Sequence, residues 1–149
     1  MRVILQRVQH ASVMVEGEIT GKINNGILAL VGFEPEDTKE DFEWISKKMI
    51  QLRIFNDENG VMNLDVQQTK GDILIVSQFT LHASTKKGNR PSYIKASKPD
   101  LAQEQYHSFL EVLETNYKPV QKGIFGADMK VELLNDGPVT IFIDSKNKE

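Results

Sequence analysis

The sequence predicts an α+β protein whose sheet is curved, barrel-like and mostly antiparallel, with two main helices packed outside it. Short runs rich in β-branched residues, separated by tight turns, predict about seven to nine strands. Two longer stretches place apolar residues at helical spacing. The 149 residues, 40% hydrophobic and 26% charged, have the composition of one globular domain, which we assign to residues 1–149.

The first part of the chain predicts four strands. Residues 2–8 alternate between two faces, as an opening strand would. Residues 11–15 and 19–23 predict a hairpin around the turn at residues 16–18. Residues 26–33 are apolar without interruption, which predicts a central strand buried on both faces.

Capping residues and apolar periodicity predict the two helices. The first covers about residues 38–51, with Asp37 as its cap and Glu40 completing a capping box. The second begins after Ser97, its expected cap, and ends at Pro119. Both helices have charged side chains between the apolar ones, which is typical of a helix that covers one face of a sheet.

One stretch changes character abruptly: residues 73–76 are apolar, and Ser77-Gln78-Phe79-Thr80 follows. We predict one strand over residues 73–80, on which Ser77 and Phe79 share one face and Gln78 and Thr80 the other. Polar side chains at the end of a buried strand favour a pocket there, because exposed backbone and hydroxyl groups collect where packing stops. The alternative is a strand that simply reaches solvent and ends in a turn.

Charge is distributed unevenly along the chain. The net charge of −3 argues against a protein that coats nucleic acid. Residues 81–99 nevertheless contain no acidic side chain, and five basic ones lie there: Lys86, Lys87, Arg90, Lys95 and Lys98. This segment predicts contact with a few phosphates at one place, with a solubilising surface loop as the alternative.

Composition excludes several kinds of chemistry. The chain has no cysteine, so disulfides, thiolate nucleophiles and cysteine zinc sites are excluded, and a cytoplasmic location is expected. No apolar run approaches the ~20 residues of a membrane helix, and the first residues do not predict a signal peptide. His10, His82 and His107 are not spaced as metal ligands, so neither a metal nor a cofactor is expected. An acid–base role for His82 is a minor alternative.

A second polar segment lies near the carboxyl end. Residues 130–134 and 139–145 predict two closing strands around Asn135-Asp136-Gly137-Pro138. Glycine permits backbone angles that other residues avoid, and the bond before a proline is the one peptide bond that is often cis. Such a pair is usually a hairpin turn, but it could also present rigid, bare backbone to a ligand.

These two polar segments, together with residues 6–8, 11–13 and 123–127, resemble the D-aminoacyl-tRNA deacylase family. The likeness extends from Met1 to Asp144 in the same order and spacing. Ser77-Gln78-Phe79-Thr80 resembles the family's active-site motif, and Gly137-Pro138 resembles its Gly-cis-Pro motif. Residues 88–92 resemble the loop that joins the family's catalytic strand to its second helix.

The resemblance implies a function and an assembly. Members of that family are cytoplasmic homodimers that hydrolyse the ester between a D-amino acid and the 3′ end of tRNA, and they also remove glycine mischarged onto alanine tRNA. Residues Ser77, Gln78, Phe79 and Thr80 would be catalytic. The Gly137-Pro138 segment would reach into the active site of the partner subunit and act there as a filter for chirality.

The resemblance also implies roles for residues outside the two motifs. Arg7 would brace the partner subunit's Gly-Pro segment, although a plain surface or strand-pairing role stays open for it. Met14 would line the pocket, with a core position as the alternative. The resemblance implies contact with tRNA without assigning residues to it, and the basic segment makes Lys86, Lys87 and Arg90 the candidates for this contact.

Two versions of the mechanism are open. In one, the Thr80 hydroxyl attacks the ester; in the other, backbone N–H groups around Phe79 and Thr80 hold the carbonyl while the substrate's 2′-hydroxyl assists water. The residues favour the second version, because a threonine nucleophile needs an adjacent base and His82 is the only local candidate. Two rival functions remain: a non-catalytic dimeric binding module, and a generic esterase that uses Thr80 as its nucleophile.

Overall fold

The computed structural model describes residues 1–149 and confirms the α+β fold with a curved, nearly closed sheet. The strands are β1 (Arg2–Val15), β2 (Glu18–Ile23), β3 (Gly26–Gly32), β4 (Phe55–Asn56), β5 (Met62–Leu64), β6 (Asp72–Ser77), β7 (Gln121–Lys122) and β8 (Lys130–Asp144). The helices are α1 (Lys39–Gln51) and α2 (Pro99–Asn116), and a 3-10 turn covers Phe79–His82. No helix has the length and apolar character needed to cross a bilayer.

The main sheet has the order β2-β1-β3-β6-β7, and β8 pairs with β1 as an additional neighbour. Strand β1 is antiparallel to β2, β3 and β8, whereas β3–β6 and β6–β7 are parallel pairs. The parallel pairs require crossovers, and α1 and α2 lie in these two connections. The ends of the sheet meet, since a Cβ at Gly21 on β2 would lie 2.8 Å from the carbonyl oxygen of Lys122 on β7.

Apolar residues of β3 and β6 alternate between two cores. Ile27, Ala29 and Val31 face the larger core under the helices, whereas Leu28 packs in a smaller cluster inside the barrel. On β6, the odd-numbered residues Ile73 and Ile75 likewise join the larger core, and Leu74 and Val76 join the smaller one. Both faces of these two strands are therefore buried, which explains why their sequences are apolar without interruption.

The predicted start of α1 was wrong by one residue. Thr38, not Asp37, is the N-cap, and its capping-box partner is Asp41, not Glu40. Asp37 instead accepts hydrogen bonds from the N–H of Glu34 and from the amino-terminal ammonium group. The buried ammonium group thus engages the Asp37 carboxylate, and Thr38 and Asp41 form the capping box.

The predicted cap of α2 was also wrong. Lys98 occupies the N-cap position and makes no side-chain capping bond. The hydroxyl of Ser97 donates instead to Oε1 of Gln105, at 2.7 Å. The Gln105 amide in turn donates to the carbonyl oxygen of Glu34, at 3.0 Å, so this serine joins the helix to the end of β3 rather than capping it.

The capping box of α1 makes the stability of the protein depend on pH. Burial raises the pKa of Asp41, but hydrogen bonds from Lys146 and Thr38 outweigh that effect and leave the pKa well below its usual value. The folded state therefore gains stability above the unfolded pKa of about 4 and loses it as the pH falls toward the folded pKa. We expect Asp41→Asn to lower the free energy of unfolding by about 1–2 kcal/mol at pH 7.

This difference should shrink as the pH falls below about 4, because the wild-type carboxylate is then protonated in the unfolded state while it stays ionised in the folded state, which removes the stability that its low folded pKa provides. Urea denaturation at several pH values measures it. Glu43→Gln is a matched control on the same helix, since Glu43 is half-exposed and pairs only with Lys47 at 3.8 Å. If Asp41→Asn lowered the free energy of unfolding by the same amount at pH 7 and at pH 3, the lowered pKa of Asp41 in the folded state would be contradicted.

Candidate active site

Strand β6 ends at Ser77, three residues earlier than predicted, and the chain then folds into the 3-10 turn. The last hydrogen bond between this segment and β3 is donated by the N–H of Gln78 to the carbonyl oxygen of Val31, at 2.7 Å. The turn packs directly on the backbone of Gly32, where a Cβ would lie 2.7 Å from the carbonyl oxygen of Gln78. The absence of a side chain at Gly32 thus allows the polar segment to leave the strand and cover the end of the sheet.

The first two backbone N–H groups of the turn precede, in sequence, the first N–H that donates a hydrogen bond within it. Its first bonded amide is that of Leu81, which donates to the carbonyl oxygen of Gln78 at 3.3 Å. The amides of Phe79 and Thr80 precede it and are not used within the turn. The side-chain amide of Gln78 donates to the Thr80 hydroxyl, which leaves the hydroxyl hydrogen free to donate elsewhere.

A cleft of about 670 Å³ opens beside this turn. Most of its lining is apolar, and it comprises residues 31–33, 76–79, 93–94, 96–99 and 125–127 together with Ala102, Met129 and Val131. Phe79 is 56% exposed and its ring lies edge-to-face against Tyr93, with the ring centroids 5.0 Å apart. An apolar cleft with a few polar groups at one end is the usual form of a small-ligand site.

The Asn135–Pro138 segment is not a hairpin turn between two strands, as predicted, but a bulge within the single strand β8. Val8 of β1 pairs with Asn135 and Gln6 pairs with Thr140, so four residues of β8 lie opposite the single residue Arg7. The Gly137–Pro138 peptide bond within this bulge is cis, and Gly137 has a φ of +117°. Such extra residues leave the ladder and project from the sheet.

Two side chains hold the bulge at its base. The amide of Asn135 donates to the carbonyl oxygens of Arg7 and Val139, at 3.0 and 2.9 Å. The Arg7 guanidinium pairs with the Asp136 carboxylate at 3.0 Å and also donates to the carbonyl oxygen of Ile54. Arg7 is only 6% exposed, so a plain surface role for it is wrong. In the single chain it braces its own bulge against the segment that precedes β4.

The bulge does not line the cleft of its own chain. Gly137 and Pro138 are exposed and are not among the residues that line the cleft. Met14, which is 38% exposed beside a bulge between β1 and β2, also lies outside the cleft.

The remaining candidates fall into two groups. His82 is buried, and neither of its ring nitrogens has a hydrogen-bond partner, so it does not pair with Thr80. The basic residues of the 81–99 segment are all exposed and form no ion pair: Lys86, Lys87, Arg90, Lys95 and Lys98. Of these five cations, Lys98 lines the cleft, and no histidine does.

Comparison with known proteins identifies the family. A family model described as D-Tyr-tRNA(Tyr) deacylase matches residues 4–144. The chain belongs to the D-aminoacyl-tRNA deacylase family. D-aminoacyl-tRNA deacylases of Parabacteroides distasonis and Flavobacterium johnsoniae are each 64% identical to it, with 100% of both chains covered. The protein is accordingly a hydrolase of D-aminoacyl-tRNA, and the predicted family is confirmed.

Two solved structures are similar in fold. One, described as c-Myc DNA Unwinding Element Binding Protein, has a TM-score of 0.92 at 42% identity and covers 97% of this chain and 98% of its own. The other, a probable eukaryotic D-amino acid tRNA deacylase, has a TM-score of 0.80 at 17% identity and covers 95% and 97%. The second shows that the fold is retained at low sequence identity.

Some cleft residues had no specific assignment from sequence. Tyr93 and Ile94 lie in the cleft wall, although only the lack of acidic residues in their segment pointed to them. Met129 enters the cleft because Gly123 gives it room: a Cβ there would lie 2.4 Å from the Met129 sulfur. The small residues of the 123–127 segment were the available signal.

Proposed function

We propose that this hydrolase removes D-amino acids from tRNA, rejects L-aminoacyl-tRNA, and also removes glycine mischarged onto alanine tRNA. The observation that carries this proposal is the pair of unused N–H groups, on Phe79 and Thr80, in a turn whose residue Phe79 lines an apolar cleft. Water attacks the ester carbonyl, the carbonyl oxygen becomes an oxyanion, and the bond to the 3′-oxygen breaks. The products are a D-amino acid and a tRNA with a free 3′-hydroxyl.

The chemistry rests on main-chain donors. Donors aimed at a developing oxyanion supply about 2.7–4 kcal/mol each, and an activated ester needs less help than an amide. No base lies beside the Thr80 hydroxyl, since His82 is buried and makes no hydrogen bond. The substrate's own 2′-hydroxyl then assists the water and receives or returns the proton at the neighbouring 3′-oxygen.

Rejection of L-substrates needs a rigid surface. Discrimination of about 10⁴ corresponds to about 5.5 kcal/mol, whereas apolar fit alone gives about 1–3 kcal/mol. Backbone at Gly137-Pro138, held by Arg7 and Asn135, cannot move aside as a mobile side chain would. Placed against Cα, it excludes an L side chain, admits a D side chain that points away, and admits glycine, which has none.

This filter requires a second copy of the chain. Gly137 and Pro138 do not line the cleft of their own chain, so a filter built from them needs the bulge of a partner to enter the cleft. The outer edge of β8 has no strand partner and exposes Leu134 and Phe142. An unpaired edge strand with apolar side chains is a ready surface for association, which supports the homodimer.

The RNA would lie along the basic segment. Lys86, Lys87 and Arg90 are free of ion pairs, and each would contact a phosphate of the acceptor end. This proposal places the protein in the cytoplasm, where aminoacyl-tRNA is made and used. A cofactor has no part in the proposed steps.

Incubation with labelled D-Tyr-tRNA and L-Tyr-tRNA tests the function. We expect selective loss of the D-ester, at a rate at least about 10⁴ times that of the L-ester. Loss of both esters at similar rates would support the generic esterase instead. Loss of neither, with tRNA still bound, would support the non-catalytic binding module. Glycyl-tRNA(Ala) in the same assay tests the glycine activity separately.

A further inference from the structure

Phe79 and Tyr93 form an exposed aromatic pair, and the proposed hydrolysis uses neither of the two rings. The two rings meet edge-to-face, with centroids 5.0 Å apart and an interplanar angle of 75°. In such a pair each ring keeps at least one face unused. Phe79 is 56% exposed and Tyr93 is 38% exposed, so these faces are open at the cleft.

The backbone fixes Tyr93 in this position. On one side of it, Ser92 and Ser84 exchange hydrogen bonds of 2.8 and 3.0 Å in an isolated bridge. On the other side, the N–H of Ala96 donates to the carbonyl oxygen of Tyr93 at 3.0 Å. The ring therefore stands on a constrained segment, although the surrounding loop is exposed.

The charges around the pair indicate its ligand. Tyr93 lies in the segment 81–99, which has no acidic side chain, and Lys95 and Lys98 flank it without ion pairs. Exposed aromatic faces interleaved with unpaired cations are the arrangement by which proteins hold single-stranded nucleic acid: the rings stack on bases and the cations attract phosphates. An amino-acid side chain would use the apolar faces but not the cations.

We propose that Tyr93 stacks on an unpaired base at the 3′ end of the RNA and that Phe79 supports its ring. This inference rests on the proposed function and deepens it, by assigning one side of the cleft to the nucleotide rather than to the amino acid. Stacking on an aromatic side chain tolerates every base, because every base has a π-face. The contact would thus favour any tRNA with a free 3′ end over a free amino-acid ester.

Binding of uncharged RNA tests the inference without catalysis. The probe is a short single-stranded oligonucleotide ending in CCA, with 2-aminopurine as its last base, titrated at fixed salt because phosphate contacts are salt-dependent. We expect quenching of 2-aminopurine fluorescence on binding, and a Kd raised about 5- to 150-fold in Tyr93→Ala, the stacking contribution of one base. Tyr93→Phe should retain both the quenching and the affinity.

Two controls make the result specific. Val61→Ala removes an exposed apolar side chain, 58% accessible and outside the cleft, and should leave the Kd unchanged. Lys95→Ala should weaken binding and reduce the salt dependence while retaining the quenching. A Kd or quenching signal unchanged in Tyr93→Ala would overturn the proposal, as would a Tyr93→Ala protein that no longer dimerises, since the ring would then belong to the subunit interface.

The outcome is separable from that of the proposed function. If D-Tyr-tRNA is not hydrolysed but Tyr93→Ala still loses oligonucleotide binding, the stacking contact stands and the catalytic proposal fails. If hydrolysis is D-selective but Tyr93→Ala binds the oligonucleotide normally, the catalytic proposal stands and the stacking contact fails. In the active enzyme, the expected change in Tyr93→Ala is a raised KM for D-Tyr-tRNA with kcat retained, as for a residue that binds the substrate and does not take part in the chemical step.

Discussion

A substrate whose terminal adenosine lacks the 2′-hydroxyl is expected to be deacylated at least about 10²-fold more slowly than normal D-Tyr-tRNA, the usual contribution of a positioned proton-transfer group. Thr80→Ala, in contrast, should lose less than about 10-fold, because the variant keeps both backbone N–H groups and loses one side-chain hydrogen bond. The reason is structural: the Thr80 hydroxyl accepts from Gln78, and no base lies beside it.

Single-turnover rates with ester-linked D-tyrosine on normal and 2′-deoxy-terminated tRNA measure both effects. Thr80→Ser is the matched control, since it keeps the hydroxyl and alters only the methyl group. Thermal unfolding of each variant establishes that the fold is intact. Activity abolished by Thr80→Ala but unaffected by the 2′-deoxy substitution would identify the threonine as the nucleophile and reject the substrate-assisted mechanism.

Gly137→Val is expected to reduce deacylation of D-aminoacyl-tRNA and of glycyl-tRNA together, by at least about 10²-fold, because the filter acts by position and a displaced wall misplaces the ester. A Cβ at Gly137 would lie 2.7 Å from a guanidinium nitrogen of Arg7 and 3.0 Å from Cγ2 of Val139. The residue also has a φ of +117°, which a β-branched residue does not adopt without strain.

Gly17→Val is a control that distinguishes the effect of backbone strain from the effect of displacing the Gly137-Pro138 segment. Gly17 also has a positive φ, of +83°, but a Cβ there meets nothing within 4 Å. We expect this control to lose some stability and no activity. Steady-state rates with D-Tyr-tRNA and glycyl-tRNA, beside urea denaturation of both variants, make the comparison; normal activity in Gly137→Val would count against the filter.

The same variant tests whether the site is shared between two copies. Ala127→Trp should fill the cleft and inactivate it, since Ala127 is a small residue of the cleft lining. Refolding an equal mixture of Gly137→Val and Ala127→Trp subunits should restore about a quarter of wild-type activity, because half of the dimers would be mixed and each would contain one intact site. A mixture as inactive as its components would place both parts of the site in one chain.

The sequence predicted the parts of the fold that depend on periodicity. Strands β3 and β6 were recognisable because both of their faces are buried, and α1 because its apolar stripe faces the sheet. Its cap was misplaced because the buried ammonium group of Met1, immediately before β1, engages Asp37. That contact joins residues remote in sequence, and no local pattern encodes it.

The site was predicted in composition and not in geometry. Ser77, Gln78 and Phe79 line the cleft, but the last residues of the run form a turn and not a strand, because Gly32 of a neighbouring strand lets them pack on bare backbone. The Gly137-Pro138 segment was expected between two strands, whereas β1 pairs with β8 on both sides of it. Both differences arise from a neighbouring strand, which the local sequence does not describe.

The pairing of β1 with β8 has a consequence for biosynthesis. Arg2 lies opposite Asp144 and forms an ion pair with it, although the two residues are separated by 142 positions. At about 5–20 residues per second, the ribosome needs roughly 7–28 s to make the later strand after the earlier one. During that interval one edge of the first strand has no partner, so the nascent chain is exposed to aggregation until translation reaches its last strand.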